Sequence, residues 1–103
     1  MQYYTVKEIV KINQDVYIIY ASRNDSIFKI ASYYNKERKK GVKLKTGSKF
    51  SSELLSQFKS VEKKFNMIPN NGLNIVFHGV SIGREPHDDI YICNELNGPY
   101  LVK

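Results

Sequence analysis

Two runs of β-branched and aromatic residues separated by a polar patch form the clearest pattern in the chain. They read VYIIYA from Val16 to Ala21 and SIFKIASYY from Ser26 to Tyr34. Asn24 and Asp25 between them tolerate the left-handed backbone of a tight turn, so this stretch predicts a β-hairpin. The turn sets three cross-strand pairs: Ala21 with Phe28, Ile19 with Ile30, and Ile18 with Ala31.

The first strand of this hairpin is apolar on both faces. Ile19 and Tyr17 share one face with Phe28 and Ile30, while Tyr20 lies on the other face, opposite Lys29. An apolar residue at nearly every position is typical of a central or strongly curled strand, because both of its faces are covered.

Shorter patterns precede and follow the hairpin. Residues 3–12 predict a strand with Tyr4, Val6, Glu8 and Val10 on one face, and the polar residues 13–15 turn the chain into the hairpin. After the charged connector 35–41, residues 42–45 alternate and predict a short edge strand guarded by lysines.

One stretch predicts a helix. Ser51 or Ser52 is a suitable N-cap, and Glu53 follows in the first turn, where the helix dipole favours an anion. The apolar stripe that would pack on the sheet consists of Leu54, Leu55, Phe58, Val61 and Phe65.

The last third of the chain predicts further strands. A turn at residues 69–72 leads into a strand from Leu73 to Ile82, and a polar loop at 83–89 precedes a strand from Ile90 to Cys93. A turn at 97–99 then leads to a closing segment at 100–102.

This order predicts a mostly β fold with one helix. Three strands, a helix and a returning pair suit a small curled five-stranded OB-like barrel with the helix at one end. An open α+β sheet with the helix on one face satisfies the same burial pattern. At 103 residues, positions 1–103 form a single domain.

Composition adds a positive charge. The formal net charge is +6, which favours attraction to nucleic acid or to an anionic membrane. The chain is also rich in Lys, Asn, Ile and Tyr, as proteins encoded by AT-rich genomes are, so the charge alone does not establish such a partner.

The sequence indicates little about the compartment. Cys93 is the only cysteine, which excludes an intramolecular disulfide, and no apolar run is long enough to predict a transmembrane helix. The first residues lack the features of a signal peptide. We expect a cytoplasmic protein if Met1 is the native start, and an exported one if a leader has been removed.

Two phrases carry a resemblance. At VYIIYASRNDSIFKIAS and IYICNELNGPYLV the sequence resembles a loose group of small uncharacterised proteins from Bacteroides-type bacteria. The resemblance covers both ends of the chain and is weak through 41–65. The group has no known activity, so it implies no functional residues.

A basic segment is the main candidate binding site. Its cations could follow the phosphates of single-stranded nucleic acid while two neighbouring rings stack on bases. The alternative is a solvated loop with the rings in the core. The candidate residues are Tyr33, Tyr34, Lys36, Arg38, Lys39, Lys40, Lys43, Lys45 and Lys49.

Enzymatic and metal sites have less support. His78, His87, Asp88 and Asp89 have the chemistry of metal ligands or of an acid–base pair, but not the spacing of a known site. Cys93 lies in an apolar strand, where a thiol is ordinarily inert, and His78 is its only conceivable base. The sequence therefore predicts no catalytic residues, no metal and no cofactor.

These observations favour a small non-enzymatic binding module whose partner is an unknown protein. The alternative is a single-stranded nucleic-acid-binding OB-like domain that uses residues 36–49. Protein binding predicts an open strand edge or an exposed apolar patch. The oligomeric state does not follow from the sequence.

Overall fold

The computed structural model describes residues 3–38, 41–56, 74–83 and 89–102. These residues form eleven strands. The bounds are β1 (Tyr3–Lys11), β2 (Val16–Arg23), β3 (Ser26–Tyr33), β4 (Val42–Lys43), β5 (Lys49–Ser51), β6 (Leu55–Ser56), β7 (Asn74–Phe77), β8 (Val80–Gly83), β9 (Ile90–Ile92), β10 (Leu96–Asn97) and β11 (Tyr100–Leu101).

A six-stranded sheet curled into a half-barrel dominates the fold. Its strand order is β5-β1-β2-β3-β9-β6, so β2 and β3 are central. β9 runs parallel to β3, and the other neighbours are antiparallel. The predicted β-rich, curled class is confirmed, but the sheet has one strand more than expected.

The central hairpin forms as predicted. All three expected pairs are present, and Tyr20 lies opposite Lys29. Asn24 and Asp25 have φ angles of 50° and 65°, the left-handed backbone that a two-residue hairpin turn requires. Local sequence therefore determines the register of the β2–β3 pair, the longest ladder of the described sheets.

A β-bulge in β1 changes the predicted faces of that strand. The register shifts between Val6, which pairs with Ala21, and Glu8, which pairs with Tyr20. The extra residue, Lys7, puts Glu8 and Val10 on the face opposite Val6. The expectation that Tyr4, Val6, Glu8 and Val10 share one face is therefore wrong.

Each face of the central sheet supports a separate hydrophobic core. The first core contains Tyr4, Val6, Ile19, Ala21, Ile30, Leu44, Phe50, Cys93 and Leu96. The second contains Val16, Ile18, Ala31, Ile82 and Ile90. Consecutive residues of β2 pack in opposite cores, which explains why the strand is apolar at nearly every position. The predicted central position of β2 is confirmed.

The second core is covered by a hairpin where a single strand was expected. The predicted strand from Leu73 to Ile82 is divided into β7 and β8, which pair around His78 and Gly79. Both turn residues have positive φ, 48° and 80°. Phe77, Val80 and Ile82 of this hairpin pack on the second core. The turn was missed because His78 lies between apolar residues that read as one strand.

The beginning of the expected helix is extended instead. Ser51 ends β5, and Leu55 and Ser56 form β6, which pairs with β9. The Ser52 hydroxyl donates to Glu95 at 2.9 Å, so it does not cap a helix. Strand pairing with β9 thus overrides the local helical pattern. Positions 57–65 of the predicted helix, and the turn predicted at 69–72, lie outside the described residues.

The left-handed turn at Asn24 and Asp25 leads to a stability prediction. Replacing Asp25 with valine should lower the free energy of unfolding by about 1–2 kcal/mol, because a β-branched residue is strained at positive φ. Asp25→Gly is the matched control and should preserve stability, since glycine adopts this conformation freely. Urea unfolding followed by circular dichroism measures both. Equal losses in the two variants would contradict the role given to the turn.

Candidate functional site

The basic segment is not one continuous surface element. Lys36, Lys43, Lys45 and Lys49 are exposed, but Lys43 belongs to β4 and Lys49 to β5, in two different sheets. Lys39 and Lys40 lie outside the described residues. The exposed lysines are available to an anion, while the other described candidates, Tyr33, Tyr34 and Arg38, have structural partners.

Arg38 holds a turn of the backbone. Its guanidinium donates to the carbonyl of Leu96 at 3.0 Å and to the carbonyl of Asn94. Two hydrogen bonds from one planar group fix the connector to the segment between β9 and β10. This engagement withdraws Arg38 from the predicted phosphate contacts.

Tyr34 packs against the turn before β11. Gly98 has a φ of 56°, and a Cβ added there would come within 2.6 Å of the Tyr34 Cβ. The Tyr34 ring also lies 5.9 Å from the Tyr100 ring. Tyr34 is therefore a packing residue of this turn.

A buried asparagine holds the same region together. The Asn97 side chain is 0% exposed, accepts from the Asn35 N–H at 2.7 Å and donates to the Asn35 carbonyl at 3.0 Å. The Ser32 hydroxyl donates to the Gly98 carbonyl at 2.9 Å. Buried polar groups satisfied in this way fix the position of the loop that follows β3.

Tyr33 stacks on a histidine. Its ring centroid lies 3.8 Å from that of His78, with an interplanar angle of 15°. One face of the Tyr33 ring is therefore occupied. The recess beside Tyr33 and Tyr34, of about 540 Å³, is also lined by Asp15 and Glu37. Against the single cation of this lining, Lys36, these two carboxylates leave a net negative charge, which opposes the approach of a phosphate backbone.

Cys93 is a buried thiol within hydrogen-bonding distance of a hydroxyl. Its Sγ lies 2.9 Å from the Ser52 Oγ, which is also 2.9 Å from a Glu95 carboxylate oxygen. Because the carboxylate only accepts, the single Ser52 hydrogen goes to Glu95, and the thiol donates to Ser52. The thiol hydrogen is therefore engaged by the Ser52 hydroxyl. We expected His78 on a strand next to that of Cys93. It lies instead in the β7–β8 turn.

Two of the four acidic and histidine candidates, His78 and Asp89, belong to the described part of the chain. Asp89 is buried, accepts from the Ile90 N–H at 2.8 Å and accepts from the Ser56 hydroxyl. His87 and Asp88 are outside the described residues. Among those that are described, no three His, Cys, Asp or Glu side chains are grouped as metal ligands.

The outer edge of β1 has no strand partner over part of its length among the residues that the structure describes. β5 pairs with Tyr3–Thr5, and Val6 bonds to the loop at 47–48. From Lys7 to Lys11, no described strand lies alongside.

The alternation of hydrogen bonds along β1 identifies which of its backbone groups point away from β2. Ile12 donates its N–H to the Val16 carbonyl at 2.9 Å, toward β2. Since bonding alternates along an antiparallel strand, Val10 also bonds to β2. The N–H and C=O groups of Ile9 and Lys11 therefore point away from the sheet.

An apolar pocket lies beside this open edge. Its volume is about 180 Å³, and it lies between the second face of the sheet and the β7–β8 hairpin. A cavity of about 150 Å³ can admit benzene, so there is room for one apolar side chain. The pocket is lined by Val10, Ile12, Ile18, Tyr20, Lys29, Val80, Ser81 and Ile82.

Two titratable residues give the pocket a polar end. Lys29 is only 8% exposed, and burial lowers the pKa of its ammonium. Burial, together with the charge of Glu8, raises the pKa of the Tyr20 hydroxyl. Glu8, Tyr20 and Lys29 face one another across β1, β2 and β3. The opposite end of the pocket, at Val10 and Ile12, adjoins the open edge.

Sequence reasoning did not identify this pocket. It depends on the bulge at Lys7, which moves Val10 to the second face, and on the hairpin turn at His78 and Gly79. The dipeptide His-Gly between apolar runs was an available turn signal, because glycine at a turn frees the backbone.

Comparisons with known proteins add no relationship: no protein family, curated protein or solved structure matches the chain. The Bacteroides-type resemblance therefore stays a prediction. Within the described ranges, no helix has the length and apolar character needed to cross a membrane.

The structural role of Arg38 can be tested by substitution. Arg38→Ala should lower the free energy of unfolding by about 1–2 kcal/mol, because two carbonyls lose a charged donor. Lys36→Ala, an exposed cation in the same connector, should change it by less than about 0.5 kcal/mol. Thermal and urea unfolding measure the difference. A loss confined to Lys36→Ala would reverse the assignment.

Proposed function

We propose that the protein is a non-enzymatic module that binds an extended segment of another protein at the outer edge of β1. The observation that carries the proposal is the outward direction of the Ile9 and Lys11 backbone groups. An added strand would satisfy these groups and extend the sheet beyond β1.

The energetics require more than backbone pairing. Ile9 and Lys11 together offer two donors and two acceptors, and each hydrogen bond contributes about 1 kcal/mol net. Four such bonds give about 4 kcal/mol, which corresponds to a Kd on the order of 1 mM before the cost of association is subtracted, so backbone pairing alone binds more weakly than this. A useful affinity therefore needs an anchoring side chain, and the pocket beside Val10 and Ile12 supplies a place for one.

Lysines on an exposed edge also hinder unwanted pairing. Lys7 and Lys11 are both exposed on this edge. Such protection lowers indiscriminate self-association and leaves pairing available to a segment with complementary side chains. The edge is thus compatible with a selective partner.

Blocking one donor of the edge should weaken binding. Peptides selected from a displayed random library against the protein should bind Lys11→Pro about tenfold more weakly, because proline removes an outward donor. Proline is tolerated on an edge strand where the N–H faces outward, so the fold should persist.

Lys11→Ala is the matched control. It removes the same side chain, including its position 6.0 Å from the Tyr17 ring, but keeps the N–H. Because Lys11→Ala loses only side-chain contacts, it should bind peptide more tightly than Lys11→Pro does, and amide exchange at Ile9 and Lys11 should slow when peptide binds. Selected peptides that bind both variants equally, and leave these two amides unprotected, would refute strand addition.

Single-stranded nucleic-acid binding is a second candidate, supported by the exposure of Lys36, Lys43, Lys45 and Lys49. Its structural basis would be an OB-like closure of the curled sheet, with these lysines following phosphates. The partners already held by Tyr33, Tyr34 and Arg38 favour protein binding over this alternative.

A salt titration separates the two candidates. If nucleic acid is the ligand, a labelled mixed-sequence oligonucleotide should bind in fluorescence anisotropy, with affinity falling steeply as salt rises. Lys43→Glu combined with Lys49→Glu should then weaken binding, whereas Lys11→Glu should matter less. Under the protein-binding proposal, we expect no tight binding even at low salt.

A further inference from the structure

We propose that the segment bound at β1 alternates apolar and acidic residues, with apolar side chains directed to the pocket and an acidic side chain opposite Lys11 on the other face. This inference rests on the proposed function. It specifies the chemical class of the partner that the edge would select.

The pocket determines the apolar positions. Successive side chains of an added strand point to opposite faces, as they do in β1 itself. A residue on the second face would lie beside Val10 and next to Ile12, which is 45% exposed. Burying the exposed part of Ile12 and filling the pocket both favour an apolar side chain there.

The edge lysine determines the intervening positions. Lys11 pairs with Tyr17, and Val10 with Ile18, so Lys11 and Val10 lie on opposite faces of the sheet. A residue added opposite Lys11 therefore lies on the face away from the pocket, in reach of an exposed ammonium. Opposite charges facing each other across a strand pair are stabilising, and like charges are destabilising.

The overall charge favours an acidic partner over a second copy of this chain. Two copies with a formal charge of +6 each would repel on approach, and pairing through β1 would bring Lys7 and Lys11 of both copies to one interface. An acidic segment is attracted at long range and is neutralised locally at the edge.

Three short synthetic peptides provide the probes. The first alternates valine and glutamate, the second replaces each glutamate with lysine, and the third keeps glutamate but replaces each valine with serine. We expect measurable binding of the first peptide by fluorescence anisotropy. Affinity should be about tenfold weaker for each of the other two, because one loses the charge pairs and the other the apolar anchor.

Substitutions in the protein test the same contacts from the other side. Lys11→Glu should lower the affinity for the valine–glutamate peptide about fivefold and raise the affinity for the valine–lysine peptide. Simple destabilisation of the fold would not produce this exchange of preference. Ile12→Ala should lower the affinity for both valine-containing peptides about threefold and leave the affinity for the serine-containing peptide unchanged. Both positions are exposed, so the variants should fold, which circular dichroism checks.

The outcomes distinguish this inference from the proposed function. Equal affinity for the three peptides, or no exchange of preference in Lys11→Glu, would overturn the alternating acidic class. If library-selected peptides of another composition still depend on the Lys11 N–H, strand addition stands while this partner class falls. If neither set binds, both proposals fail.

Discussion

The pairing of β2 with β3 is the interaction on which the rest of the structure depends. Eight consecutive residue pairs join the two strands around the Asn24–Asp25 turn. Because β2 carries apolar side chains on both of its faces, other elements must pack on each face of the hairpin. One face gathers the first core with β1, β5 and β10, and the other is covered by the β7–β8 hairpin. Two cores on one sheet follow from that single strand.

The candidate site is a consequence of this two-sided arrangement. The bulge at Lys7 lets β1 contribute Val6 and Ile9 to the first core and Val10 to the second. Beyond Val6, β5 and its preceding loop no longer cover β1 among the described residues, so the same strand packs both cores and presents an edge. The hairpin that covers the second core also forms the wall of the pocket beside that edge. Packing and the proposed binding thus involve the same short segment of β1.

Two residues that suggested a ligand site serve the fold. Arg38 donates to backbone carbonyls at β10 and just before it, and Tyr34 packs on Gly98, beside the buried Asn97 that bonds to the Asn35 backbone. Composition gives the number of cations and rings but not their partners. A cation whose donors are used by carbonyls has fewer left for phosphates, which explains why the basic segment supports nucleic-acid binding less than its sequence suggests.

The sequence by itself determined the elements whose signals are local. The hairpin register follows from its turn residues, and the central position of β2 follows from its unbroken apolar run. Tertiary structure decided the rest, because those choices depend on distant partners. Leu55 and Ser56 pair with β9 in place of a helical turn, and Val10 changes face through a bulge. The open edge at Ile9 and Lys11 also belongs to the tertiary structure, since only the arrangement of neighbouring strands decides which backbone groups stay unpaired.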